Sequence, residues 1–142
     1  MEYISVEGVV LPNKSLSNFE IDDAVNKLNI PHYTGWYSRD DPIEVRDKEC
    51  FILNLDDSKG GGTHWVAFVK YGDKKFYFDS YGLQPPSEIV KRFKSPIYYS
   101  SDIVQPDNTV ICGHLCLLFL RKMLDKGKPT LETFQSFLNN LL

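Results

Sequence analysis

The stretch Thr63-His64-Trp65-Val66-Ala67-Phe68-Val69-Lys70-Tyr71, then Gly72-Asp73, then Lys74-Lys75-Phe76-Tyr77-Phe78-Asp79-Ser80-Tyr81, decides the fold. Two β-branched and aromatic runs joined by turn residues form a hairpin signature. Gly72 supplies the positive φ that a two-residue type I′ or II′ turn demands, so Tyr71 pairs with Lys74 and every pair of residue numbers sums to 145. In that register His64 lies opposite Tyr81, and Val66 opposite Asp79. Side chains alternate with period two, so His64 and Asp79 share a face as diagonal neighbours, with backbones about 7–8 Å apart and side-chain tips closer. A three-residue turn would shift the register by one and send Asp79 to the other face.

A carboxylate that holds one imidazole nitrogen leaves the other free as a base, which is half of a nucleophilic triad. The nucleophile on offer is Cys112, at the head of the apolar run Cys112 to Leu124, a helix expected at the centre of the fold. The positive end of the helix dipole and the free N–H groups of a first turn stabilise a thiolate. Gly113 removes a side chain beside the sulfur, so a substrate backbone can approach, and the Cys112 amide can point at a developing oxyanion. Gln105, seven residues upstream in the turn Gln105-Pro106-Asp107-Asn108, offers a second donor, which Pro106 aims by holding Gln105 extended. Trp65 is expected to wall the cleft, with Gly62 and Thr63 along the substrate path. Each residue alone has a plainer structural reading, since a histidine beside a tryptophan or a buried cysteine is commonly core. It is their occurrence together, in the order His, Asp, Gln, Cys, that points to catalysis.

Outward from this centre, Ser17 followed three residues on by Glu20 is a capping box. Phe19, Ile21, Ala24, Val25 and Leu28 then have helical spacing until Pro31. Tyr3 to Val10 alternates and reads as an edge strand or ordered arm. His32 to Lys48 reads as a structured loop near a cleft, and Cys50 to Leu55 as a buried strand. Pro85-Pro86-Ser87 opens a helix to Lys94, Ile97 to Val104 is a strand or loop, and Thr130 to Leu142 is a last helix with Leu131, Phe134, Phe137, Leu138 and Leu141 inward. Helices and a largely antiparallel sheet in this order give α+β, in one domain over residues 1–142.

The 142 residues carry nineteen aromatics, enough apolar surface to offset the entropy of ordering a chain, so disorder is excluded for the bulk of it. A net charge of −3 gives no global positive field for nucleic acid. Val110 to Leu120 is too short to span a bilayer and Met1-Glu2 opens no signal peptide, so a soluble, intracellular protein is expected. Three cysteines are odd in number and suit a reducing compartment, with Cys50 and Cys116 expected in the core. Zinc is the competing chemistry at Cys112, His114 and Cys116. His114, however, projects about 160° from the face that Cys112 and Cys116 share on a 3.6-residue helix, so no metal site is expected. Gly60 to Gly62 lacks the Lys-Ser/Thr of a phosphate loop.

Gly61-Gly62-Thr63-His64-Trp65-Val66-Ala67-Phe68, Phe76-Tyr77-Phe78-Asp79-Ser80-Tyr81-Gly82, Gln105, and Cys112-Gly113-His114-Leu115-Cys116 together resemble the adenovirus-type cysteine endopeptidase, adenain, and its relatives in virophages, Polinton-like elements and large DNA viruses. A looser similarity extends over Asp22 to Leu55. SUMO and ubiquitin-like protein proteases of the Ulp1 type share the same elements. The seven-residue interval from Gln105 to Cys112 is that of the adenovirus type, whereas Asp79 is the Ulp1-like acid.

The resemblance implies an α+β papain-like (adenain/Ulp1-type) cysteine protease domain, with a central mixed or antiparallel sheet packed on a buried helix that carries the nucleophile. It implies a viral maturation enzyme of virion and infected cell that cleaves capsid or core precursors at Gly-containing sites. Its residues would be Cys112 as nucleophile, His64 as base, Asp79 as orienter and Gln105 in the oxyanion hole. The disulfide-linked activating peptide of adenain has no counterpart cysteine between Asp79 and Gln105, and the chain lacks the basic character that serves a DNA cofactor. The expectation is therefore a monomer with no cofactor, no DNA requirement and no membrane, any activating peptide or protein being held noncovalently. A Ulp1-type deconjugating protease and a non-catalytic domain that binds Gly-rich tails are the alternatives.

Overall fold

The computed structural model describes residues 3–56, 64–106 and 109–141; Gly62 and Thr63, expected along the substrate path, lie outside the described residues. The elements run β1 (Tyr3–Val6), β2 (Val9–Pro12), α1 (Asn18–Leu28), β3 (Tyr33–Ser38), β4 (Lys48–Asn54), β5 (Trp65–Tyr71), β6 (Lys74–Phe78), α2 (Ser87–Phe93), β7 (Tyr98–Tyr99), α3 (Cys112–Leu124) and α4 (Leu131–Leu141). Strands β3-β4-β5-β6-β7 form one sheet, antiparallel at its centre and parallel at both edges. β1 and β2 form a separate antiparallel ribbon.

The central hairpin has the register that Gly72 dictates, with Tyr71 opposite Lys74 and Ala67 opposite Phe78. Its strands are buried on both faces, which is why they read as continuous apolar runs. Cys50, Ile52, Ala67, Val69, Phe76 and Phe78 face a core shared with α1, α3, α4 and the ribbon. Phe51, Leu53, Val66, Phe68 and Tyr77 face a smaller core with Ile89 and Phe93 of α2. The α3 helix lies against β5, buried along most of its length.

At α1 the Ser17 hydroxyl accepts from the Glu20 N–H while the Glu20 carboxylate accepts from the Ser17 N–H, the complete capping box. The helix stops at Asn29, which is left-handed at φ 54°. Three expectations need correction. Phe19, assigned to the apolar face of α1, is 79% exposed. Leu131 of α4 is exposed while Phe134, Phe137 and Leu138 go inward. The segment read as a loop from His32 contains an edge strand, β3, parallel to β4. A register shift between Tyr33 and Gly35, with Gly35 at φ 139°, breaks the alternation that would have marked it.

Candidate active site

His64 and Asp79 each lie one residue beyond the ladder, His64 before β5 and Asp79 after β6, at the sheet end that meets the start of α3. His64 Nε2 stands 2.8 Å from Asp79 Oδ1. The Asp79 carboxylate is fully buried, and the same Oδ1 accepts the Tyr81 N–H at 2.8 Å. Asp79 to Gly82 is a tight turn closed by Gly82 N–H donating to Asp79 O at 2.9 Å. Gly82 sits at φ +71°, and a Cβ there would come within 2.5 Å of Ser101 O, so only glycine lets this turn pack against residues 101–102.

Nε2 is committed to Asp79, and Cys112 is the other side chain that acts on the imidazole. Burial alone would push the His64 pKa down. Hydrogen bonds to Asp79 and Cys112 and the charges of both outweigh it and raise the value to about 9. Burial likewise works against a Cys112 thiolate, and it too is outweighed, first by the hydrogen bond from His64 and then by the Trp65 and Gly113 main-chain N–H groups. The thiol is thereby held below its usual range. Opposite shifts on neighbouring groups favour transfer of the thiol proton to the imidazole. The other two cysteines behave in the reverse sense: burial pushes Cys50 and Cys116 up. The first turn of α3 contains no acidic residue and its N-cap, Ile111, makes no side-chain bond, so its amides are left to the sulfur and to whatever binds beside it.

The expected second donor, Gln105, is 2% exposed. Its Oε1 accepts from the Ser80 hydroxyl at 2.6 Å and its Nε2 donates to Thr109 O at 3.0 Å. Trp65 differs from the expected cleft wall: it is 5% exposed, its indole donates to Leu16 O at 2.9 Å and lies edge-on to Trp36, and its main chain helps hold the Cys112 pKa down. Gly113 also serves differently from expectation. A Cβ there would stand 3.2 Å from Leu16 Cδ1 and 3.3 Å from Trp65 Cδ1, so the missing side chain makes room for the N-terminal arm. His114 is buried, with Nε2 2.8 Å from Pro12 O, and burial lowers its pKa. Among the described residues no three of His, Cys, Asp and Glu gather as metal ligands, and no helix is long and apolar enough to cross a membrane.

Sequence reasoning missed two members. Tyr81 stacks on His64 with ring centroids 4.7 Å apart and planes 22° apart, a contact already implied by the register that sets them opposite each other. Ser80 left no signal in the sequence, because its partner is twenty-five residues away across a loop.

No protein-family model and no curated protein matches the sequence. Among solved structures the chain is similar to the ASFV pS273R protease, with a TM-score of 0.57 at 19% identity over 92% of this chain and 68% of that one. The selenomethionine form of that protease gives 0.52 at 21% identity over the same shares. The chain thus has the α+β papain-like cysteine protease fold, its mixed sheet packed on a buried helix that begins at Cys112.

Proposed function

We propose that the chain is a cysteine endopeptidase with Cys112 as nucleophile, His64 as general base and then acid, Asp79 as orienter, and Gln105 with the Cys112 N–H as oxyanion donors. The observation that carries this reading is His64 Nε2 held 2.8 Å from the fully buried Asp79 carboxylate, at the sheet end beside the buried helix that Cys112 begins; the opposed pKa shifts of His64 and Cys112 agree with it. The thiolate adds to the scissile carbonyl carbon, and the oxyanion collapses as the C–N bond breaks and the His64 proton goes to the leaving amine. Water, deprotonated by His64, then hydrolyses the thioester and restores the thiol pair.

The fold shared with a viral protease supports a viral processing role. We infer capsid or core precursors as substrates, cleaved at Gly-containing sites in virion or infected cell by a monomer that needs neither DNA nor a covalently attached activator. Incubation of the protein with structural precursors of its source virus, followed by mapping of new termini, tests this. New termini absent from a Cys112→Ala control support it. Cleavage by Cys112→Ala at the wild-type rate, or processing of ubiquitin-like precursors alone, overturns it.

A further inference from the structure

The turn that orients the base also touches the proposed oxyanion donor. Asp79 turns toward His64, and the next residue, Ser80, turns toward Gln105. Ser80 is wholly buried and bonds Gln105 twice and its neighbour Val104 once: its carbonyl accepts from Val104 N at 2.9 Å and from Gln105 N at 3.2 Å, and its hydroxyl donates to Gln105 Oε1 at 2.6 Å. On the far side the Gln105 amide meets the Thr109 carbonyl at 3.0 Å.

A carboxamide has two nearly isosteric orientations related by a flip. The Thr109 carbonyl can only accept, so NH2 must face it, and the oxygen must then face Ser80. The hydroxyl is the one group of the pair able to donate to that oxygen. Thr109 takes one of the two Nε2 hydrogens, and among the described residues no other acceptor takes the second. We propose that Ser80 is a positioning residue that fixes the Gln105 amide in the orientation presenting this second N–H to the oxyanion of the acyl-transfer step. Without the hydroxyl, Oε1 is a buried acceptor with no donor among the described residues, which favours rotation of the amide out of its seat. Ser80 acts only through Gln105, so the inference rests on the oxyanion role proposed for that residue.

The test combines Ser80→Ala, Gln105→Ala and the double variant, with a fluorogenic Gly-Gly peptide amide as substrate, iodoacetamide as thiol probe and exchange of the Gln105 side-chain amide protons by NMR in the unliganded protein. Ser80→Ala is expected to lower kcat about tenfold at nearly constant KM, and Gln105→Ala about 100-fold. The double variant should match Gln105→Ala alone. The iodoacetamide rate should stay that of wild type throughout, since the thiolate pair is untouched, and the Gln105 amide protons should exchange faster in Ser80→Ala. Unchanged exchange in a folded Ser80→Ala, or the same tenfold loss when Ser80→Ala is added to Gln105→Ala, overturns the positioning role. A Gln105→Ala enzyme with wild-type kcat removes the oxyanion assignment and the Ser80 proposal with it, whereas a slowed iodoacetamide reaction assigns Ser80 to the thiol pair and overturns the proposal alone. The exchange measurement needs no turnover and decides the matter even if the peptide is a poor substrate.

Discussion

Asp79 Oδ1 receives two hydrogen bonds, from His64 Nε2 and from the Tyr81 main chain, each 2.8 Å long. Asp79→Asn can keep an oxygen at that point and so keep the geometry, while the negative charge that helps raise the His64 pKa is lost. We expect kcat/KM to fall on the order of 100-fold or more. The loss should be smaller than in Cys112→Ala, and the His64 titration should move down from about 9. A steady-state and NMR comparison checks both, and an unshifted titration would contradict the charge argument.

The paired shifts set a bell-shaped pH–rate profile. Acid protonates the Cys112 thiolate, so activity is lost as pH falls through a value below the usual thiol range. On the alkaline side His64 gives up the proton needed by the leaving amine, so activity declines near pH 9. In Cys112→Ala the imidazole loses its sulfur partner and should titrate lower. At neutral pH iodoacetamide should modify Cys112 and spare Cys50 and Cys116, a pattern that mass spectrometry reads directly.

Gly82→Ala combines a left-handed backbone with a Cβ driven into Ser101 O, whereas Gly72→Ala meets the first problem alone, in open space at φ +64°. The Gly72 variant should cost about 1–2 kcal/mol. Gly82→Ala should cost more and should also reduce turnover, because the same turn holds Asp79 and Ser80. Denaturant melts paired with kcat separate the two, and equal costs would mean that the turn yields easily.

Glu49 is 1% exposed; its Oε2 accepts the Arg46 N–H at 2.6 Å, and its Oε1 has no partner among the described residues. Burial raises its pKa above the ordinary carboxylate value. A raised folded-state pKa makes the ionised group destabilising once pH exceeds the folded value, with no such penalty below the unfolded value of 4.5. Glu49→Gln should therefore raise Tm at pH 7 and change it little at pH 4 and below. Scanning calorimetry at the two values checks the sign.

The hairpin register was legible because Gly72-Asp73 leaves one economical turn, and everything that follows from the register, His64 beside Asp79 and Tyr81 over the imidazole, was legible with it. Cys112 could be read from the abrupt apolar run it heads. What could not be read is what long-range packing decides. The Trp65 main-chain donor depends on how far α3 slides along β5, the Ser80–Gln105 bond depends on a loop crossing, and Gly113 answers to Leu16, a residue almost a hundred positions earlier. The β3 strand was hidden by its own bulge.

The N-terminal arm, held by Leu16 O to Trp65 and by Pro12 O to His114 across 102 residues, has a temporal consequence. Residues 12–16 dock on Trp65 and on α3, so during synthesis this arm can settle only after the chain as far as residue 114 has emerged. The groups that lower the thiol pKa, His64, Trp65 and Gly113, likewise come together only when β5 and α3 have packed. A copy in which β5 and α3 have not yet packed therefore carries an ordinary thiol, and the lowered thiol pKa arrives only with the packed fold.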